Sequence, residues 1–531
     1  MIVLNGSSLT IDQLVAIASR GESVAVAAEA AQRVRAARAV VERMAREDAP
    51  VYGINTGFGS FAEVKIAPDA LATLQRNLLR SHAAGVGAPL SVPSVRAAMA
   101  LRANVLAKGF SGIRLETLET LIGMINAGVH PVVPSRGSVG ASGDLAPLAH
   151  IALVLIGEGE AWDDEADDDQ RRARRELQDS PRTLRSTSWA EVRSIPGGEA
   201  LRRAGLAPVT LGPKEGLALI NGTQPSTAVL ALALDGAARL ARAADIAAAL
   251  SIDALRGSIH PFDARIHEAR GLPGQIASAA NIERLMSGSG INRSHEKCGR
   301  VQDAYSMRCA AQVHGAVREA LGFVRRIVET EANAGTDNPM VFVETDEIVS
   351  GGNFHGAPVA LAADLLATAL APLATISERR TDRLLDPVLS GLPAFLTRDG
   401  GLRSGLMLAQ VTAAASASEL KTLAHPAGVD TIPTSANKED HVSMSMAAAL
   451  KAARALERAR EVVAIEILCG CQAIDLLAPL TTSAALGRAR DLVRSRVPTL
   501  DDDRPPAPDI VAITELIATS ELENACGVVV K

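Results

Sequence analysis

"SMSMAAALKAARALERAREVVAIEILCGCQAIDLL", residues 443–477, places apolar residues three and four apart along its whole length, with Ala, Arg and Glu between them. No proline interrupts it, and Gly470 is its one glycine. A periodic run beyond ~25 residues predicts a long helix packed in a bundle rather than an ordinary globular helix. "STAVLALALDGAARLARAADIAAALSI", residues 226–252, repeats the pattern. Aromatic residues make up only 2% of the 531-residue chain against 47% hydrophobic residues overall. That composition lacks the aromatic and β-branched mix of sheets, so the expectation is a mainly α fold.

Other classes fall away on composition. A net charge of −6 with scattered basic residues offers nucleic acid no electrostatic footprint. "MIVLNGSSLTIDQL" has no basic stretch followed by an apolar one, and apolar runs such as "HIALVLIG" are too short to span a bilayer. The expectation is a cytoplasmic protein. Cys298, Cys309, Cys469, Cys471 and Cys526 are odd in number and form no CxxC pair, so neither a disulfide framework nor a zinc site is expected. His355, alone in "NFHGAP", is the nearest approach to a metal pattern, and no metal is expected.

Along the chain, residues 10–47 read as one or two helices, and "PVYGINTGFGSFAEVKI" (50–66) reads as a glycine-broken loop. Residues 163–189 join a block of acids to a block of arginines and have little to bury, which marks a solvated insertion. The expected organisation is an N-terminal region, 1–210, followed by a long-helix bundle region, 211–531.

Residues 135–161, "SRGSVGASGDLAPLAHIALVLIGEGEA", carry Gly137, Gly140 and Gly143 at three-residue spacing, ahead of a helix whose N-cap falls near Ser142 or Asp144. A P-loop fails because Asp144 and Leu145, not Lys and Ser/Thr, follow Gly143. A nucleophile elbow fails because Asp144 stands where its second glycine belongs. Two readings stay open. One is a flexible glycine-rich turn. The other is chemical: a Gly143 amide, unhindered by a Cβ, closes a five-membered ring on the Ala141 carbonyl, and loss of water from Ser142 leaves an exocyclic methylidene, an electrophile that no unmodified side chain provides.

"GSVGASGDLAPLAH" closely resembles the signature of the aromatic amino acid ammonia-lyases, whose Ala-Ser-Gly becomes 4-methylideneimidazole-5-one (MIO). The resemblance extends, in order, over "YGINTGFG" (52–59), "NGTQ" (221–224), "QDAYSMRC" (302–309), "TDNPMVF" (336–342), "GGNFHG" (351–356) and "AHPAGVDTIPTSANKEDHVSM" (424–444). It implies the family's fumarase-like superhelical fold, with an MIO formed from Ala141, Ser142 and Gly143 in the smaller N-terminal region and no external cofactor. It also implies a homotetramer with shared active sites. Tyr305 is implied as the base and Tyr52 as an assistant at the leaving group or the adduct. Asn221 is implied to contact the MIO or the substrate, Gln302 to support the same network, and Phe354 to shape the pocket. Gln302, Tyr305 and Arg308 stand at i, i+3 and i+6, one side of a helix if the segment is helical, with Arg308 suited to pair bidentately with a substrate carboxylate.

For the substrate, the pair Ser81-His82 resembles the histidine-acting branch of the family. An imidazole ring carries a donor and an acceptor and needs polar partners, which His82 and Glu419 are expected to supply. The implied reaction is elimination of ammonia from L-histidine to give trans-urocanate, with a lyase or 2,3-aminomutase acting on tyrosine or another aromatic amino acid as the alternative. Arg80, Ala304 and Leu420 depart from the family pattern beside Ser81, Tyr305 and Glu419.

Overall fold

The computed structural model describes all residues except 48, 58–60, 62, 164–192, 297–298 and 300, so the 163–189 insertion lies, beyond Asp163, outside the described residues. The fold is mainly α. Gln224–Ala254, Ala310–Ala332, Ala357–Leu385 and Ser445–Leu476 form helices of 31, 23, 29 and 32 residues; the third carries an internal Pro372, and the last is built from the 443–477 run. Strands among the described residues are short and lie in two-stranded sheets. Ala357–Leu385 is long and apolar enough to cross a membrane by composition, but 61% of its apolar window is buried within the protein, the signature of a core helix.

Two compact units result, and neither is one continuous stretch. The first holds Met1–Leu232, Arg325–Asp364 and Ala427–Leu450; the second holds Ala233–Val324, Leu365–Pro426 and Lys451–Lys531. The division expected at 210/211 therefore gives way to a chain that passes between units inside its long helices, whose residues belong partly to one unit and partly to the other.

In the first unit the 10–47 region forms two helices, Ile11–Arg20 and Ala28–Met44, separated by the strand Val24–Val26, which pairs in parallel with Ile2–Leu4. Thr10 and Gln13 close a capping box at the first helix, satisfying backbone donors that the helix start leaves free. Val92–Ala107 begins at a Ser91 cap, carries Pro93 in its first turn and is buried over nearly all its length.

Three further helices position the chemistry. Leu71–His82, Leu145–Leu155 and Glu215–Ile220 pack on one another. Their ends carry His82 as the last helical residue, Ser142 just ahead of the Asp144 N-cap, and Asn221 as the C-cap. Leu79, Leu148 and Ile220 on these helices are fully buried, which stabilises the packed trio.

Candidate active site

The Ala-Ser-Gly segment is fixed by two close approaches that depend on glycine. Gly140 has φ +66°, and a Cβ there would stand 2.2 Å from Ser443 Oγ and 2.3 Å from Ser445 Oγ. Gly143 has φ +73°, and a Cβ there would stand 2.2 Å from the Gly222 carbonyl oxygen. The two glycines thus seat the segment between the Ser443 and Ser445 hydroxyls and the Gly222 backbone. Ser443 Oγ donates to the Gly140 carbonyl at 2.8 Å, and Asp144 N donates to the Gly222 carbonyl at 2.7 Å. Asp144 is fully buried; Ser138 Oγ at 2.6 Å and Ser226 N at 2.8 Å donate to its two oxygens, and burial pushes its carboxyl above the usual range.

A cavity of about 560 Å³ opens over Ser142 in the first unit, with Tyr52, His82, Asn221, Phe354 and Glu439 in its lining. Asn221 Nδ2 donates to the Ser142 carbonyl oxygen at 3.1 Å. Behind Asn221 stands a buried cationic frame. Arg102 Nη1 donates to the Asn221 carbonyl at 2.7 Å and to Gln224 Oε1 at 2.8 Å, and Gln224 Nε2 donates to Thr336 Oγ1 at 2.7 Å. Burial brings the Arg102 guanidinium down to about 10. Lys214 Nζ pairs with Asp337 Oδ2 at 3.0 Å with both side chains buried, so breaking either partner would leave an uncompensated charge.

His82 is oriented by its own helix. Its Nδ1 lies 2.9 Å from the Leu78 carbonyl, and since a carbonyl only accepts, Nδ1 carries the hydrogen. Burial lowers the pKa of the ring, which leaves Nε2 as the acceptor of the neutral form. Ser81 Oγ donates to the same Leu78 carbonyl at 3.1 Å and lies 3.0 Å from His82 Nδ1, so it serves the orientation of His82. His355 and His441, also in the lining, stack with centroids 5.8 Å apart.

The remaining expected site residues belong to the second unit. Tyr305–Arg308 is a single helical turn preceded by Ala304 in an extended conformation (φ −63°, ψ 155°). Gln302 therefore stands outside the helix, and the common i, i+3, i+6 face does not form. Arg308 instead lays its guanidinium over the Tyr305 ring, 4.8 Å from the centroid, with its Nε buried and without a hydrogen-bond partner. The turn is anchored from below: Arg380, buried and paired with Glu466 at 2.5 and 2.8 Å, donates through Nη1 to the Ser306 carbonyl at 3.2 Å. Glu419, on the Met407–Leu423 helix, is exposed and faces Arg454 at 3.3 Å and Arg458 at 3.9 Å. None of Gln302, Tyr305, Arg308 and Glu419 lines the cavity over Ser142.

A family model for aromatic amino acid lyases matches residues 9–495. The chain belongs to this family. Among aromatic amino acid lyases, the histidine ammonia-lyase of Anaeromyxobacter sp. (strain K) is 54% identical over 524 residues, covering 98% of this chain and 99% of the relative. That of Myxococcus xanthus (strain DK1622) is 50% identical over 521 residues, covering 98% and 97%. Among solved structures, histidine ammonia-lyase from Trypanosoma cruzi superposes with a TM-score of 0.87 at 42% identity, covering 99% of this chain and 95% of the other. Tyrosine aminomutase from Streptomyces globisporus superposes with a TM-score of 0.90 at 36% identity, covering 99% and 98%. The similarity in fold therefore spans lyases and mutases, and sequence identity is higher on the histidine ammonia-lyase side.

The departures from the family pattern have local explanations. Arg80 points away from the cavity and forms a two-pronged pair with Glu158 at 2.8 and 2.7 Å. Leu420 is fully buried, a core position beside the exposed Glu419. Glu439 is the residue the sequence reading missed. It lies inside the matched "SANKEDHVSM" block, but nothing in its residue type sets it apart there from Asp440 or Lys438. Its Oε1 accepts from Ser142 Oγ at 2.8 Å.

Proposed function

We infer that this chain eliminates ammonia from L-histidine without oxidation, giving trans-urocanate, and that Ala141, Ser142 and Gly143 supply its MIO group. The observation that carries the reading is the seating of Ser142, with its carbonyl held by Asn221 and its side chain opening on a cavity that also holds His82. Near-full-length identity to the histidine ammonia-lyases named above adds weight to the choice of substrate. The residues fit the group: Gly143 lacks the Cβ that would block close approach, and Asn221 Nδ2 faces the carbonyl that would become conjugated with the methylidene. When formed, the group supplies an electrophile at the former Ser142 Cβ.

The chain's own residues divide the remaining work. The β-proton of an amino acid is weakly acidic, and Tyr305 is assigned as the base that accepts it. Arg308 is assigned to the substrate carboxylate and Tyr52 to the amino group. His82 Nε2 accepts from the imidazole N–H of the substrate, with Ser81 and Leu78 fixing its orientation. Proton and ammonia leave from adjacent carbons, and the electron pair of the broken C–H bond becomes the double bond of urocanate.

We assign the assembly as a homotetramer whose active sites take Ser142 and Tyr305 from different subunits. Support comes from exposure: Tyr305 is 70% exposed and Val301 95% exposed, an unusual state for apolar side chains beside a candidate catalytic residue. The deciding experiment is product analysis with L-histidine, L-tyrosine and L-phenylalanine in parallel. Urocanate from L-histidine alone is the expected result; cinnamates or β-amino acids would reassign the substrate or the reaction. Ser142→Ala, a small change at a half-buried position, should fold and lose nearly all turnover.

A further inference from the structure

We propose that Glu439 is the acid that expels the Ser142 hydroxyl as the Ala-Ser-Gly segment matures, an inference that rests on the MIO reading above. Two independent observations converge on it. Glu439 Oε1 lies 2.8 Å from Ser142 Oγ, within proton-transfer distance of the atom that must leave. The loop that carries Glu439 is built to aim it: Thr434 Oγ1 donates to Glu439 Oε2 at 2.5 Å, and Thr434 N donates to the Glu439 carbonyl at 3.0 Å. Between those anchors Ser435, Ala436 and Asn437 all adopt left-handed backbone, with φ of 52°, 51° and 65°. Three consecutive non-glycine residues in that region are costly, and such strain persists where the surroundings over-determine it, as at functional sites.

Maturation loses two waters by different routes. In the first, Gly143 N bonds to the Ala141 carbonyl carbon, and that carbonyl oxygen departs as water with the Gly143 and Ser142 amide protons as the ring C=N forms. Ser142 Oγ takes no part. In the second, the Ser142 Cβ–Oγ bond breaks with its electron pair on oxygen, while the Cα–H pair becomes the Cα=Cβ bond. Hydroxide is a poor leaving group. The Cα proton passes through a water in the cavity to the Glu439 carboxylate, and Oε1 then hands it to Oγ, which departs as water. The net loss is one water, and the carboxyl group is restored. Among the described residues, Glu439 is the titratable side chain hydrogen-bonded to that oxygen.

The two losses can therefore be separated by mass. Newly synthesised chain is sampled over time, and the peptide containing residues 141–143 is weighed. Wild type should end two waters short. Glu439→Gln keeps the shape and removes the acid, so it should halt one water short, with the second loss slowed at least ~10²-fold. Glu439→Asp should reach the two-water deficit more slowly, and circular dichroism of both variants should match wild type. Loss of both waters by Glu439→Gln at the wild-type rate would overturn the proposal, and so would loss of neither, which would place the carboxylate in ring closure. A wild-type peptide with no deficit would instead remove the MIO reading itself. Should Glu439→Gln not fold, Thr434→Val leaves the acid and removes its anchor; a slowed second loss supports the assignment and a wild-type rate overturns it.

Discussion

At the scale of single residues, His82 is the position where substrate choice is most directly testable. Its Nδ1–H is committed to Leu78, so its Nε2 is what it offers the cavity. His82→Leu replaces that acceptor with an apolar surface and leaves a buried imidazole N–H of the substrate unpaired, a loss of ~1–3 kcal/mol. Steady-state kinetics should show kcat/KM for L-histidine reduced roughly ten- to a hundredfold. The melting temperature should barely move, because the side chain is half-buried at a helix end. Sequence reasoning assigns Glu419 a share of this task, but Glu419 stands exposed between two arginines. Residue identity announces a chemical capacity; only placement says whether the capacity faces a substrate.

At the scale of elements, the helix ends at His82, Asp144 and Asn221 make the site, and glycine sets how closely they approach. Gly143→Ala would put a Cβ 2.2 Å from the Gly222 carbonyl oxygen, a backbone atom that cannot rotate away, at a φ of +73°. Relief requires the 221–222 turn to withdraw, which moves the Asn221 amide off the Ser142 carbonyl. The expected outcome is a lowered melting temperature and a peptide at 141–143 that keeps the full mass of its unmodified residues. A Gly143→Ala chain with a complete two-water deficit would show that the close approach is not needed. The helix start was legible in the sequence, which put the N-cap near Ser142 or Asp144, where Asp144 holds it; the glycine spacing by itself left a flexible turn and a ring-forming tripeptide both open. The Glu439 loop was not legible. Ser435, Ala436 and Asn437 are ordinary residues, and nothing in their types announces the left-handed backbone they adopt. The 302–308 spacing gives one helical side only if the whole segment is helical, and the helix starts at Tyr305.

At the scale of the whole molecule, the long helices were readable because a 3.6-residue period sustained over about six to nine turns has one solution. The return of 325–364 and 427–450 to the first unit had no local signature, since it is set by contacts far apart in sequence. The second unit conceals a titratable group with a global consequence. Fully buried His314 faces Asp245 at 2.7 Å, with Arg318 on the same carboxylate and the Arg380–Glu466 pair nearby; burial holds the histidine pKa below its usual value. The unfolded chain then binds a proton that the folded chain refuses. Stability from this group is complete above pH ~6.5 and falls as the pH drops toward the lowered folded pKa. His314→Gln should flatten that part of the pH profile of the melting temperature. The assembly assignment gives the sharpest test at this scale. Ser142→Ala and Tyr305→Phe chains should each be nearly inactive alone. If one site draws Ser142 and Tyr305 from different chains, random co-assembly in equal amounts makes about a quarter of the sites fully wild-type. Co-expression should therefore restore about a quarter of the wild-type turnover. If both residues come from the same chain, every site in the mixture carries one lesion and no activity returns. Mixing the two purified variants without subunit exchange is the control, and recovery should appear only after co-expression or dissociation and reassembly.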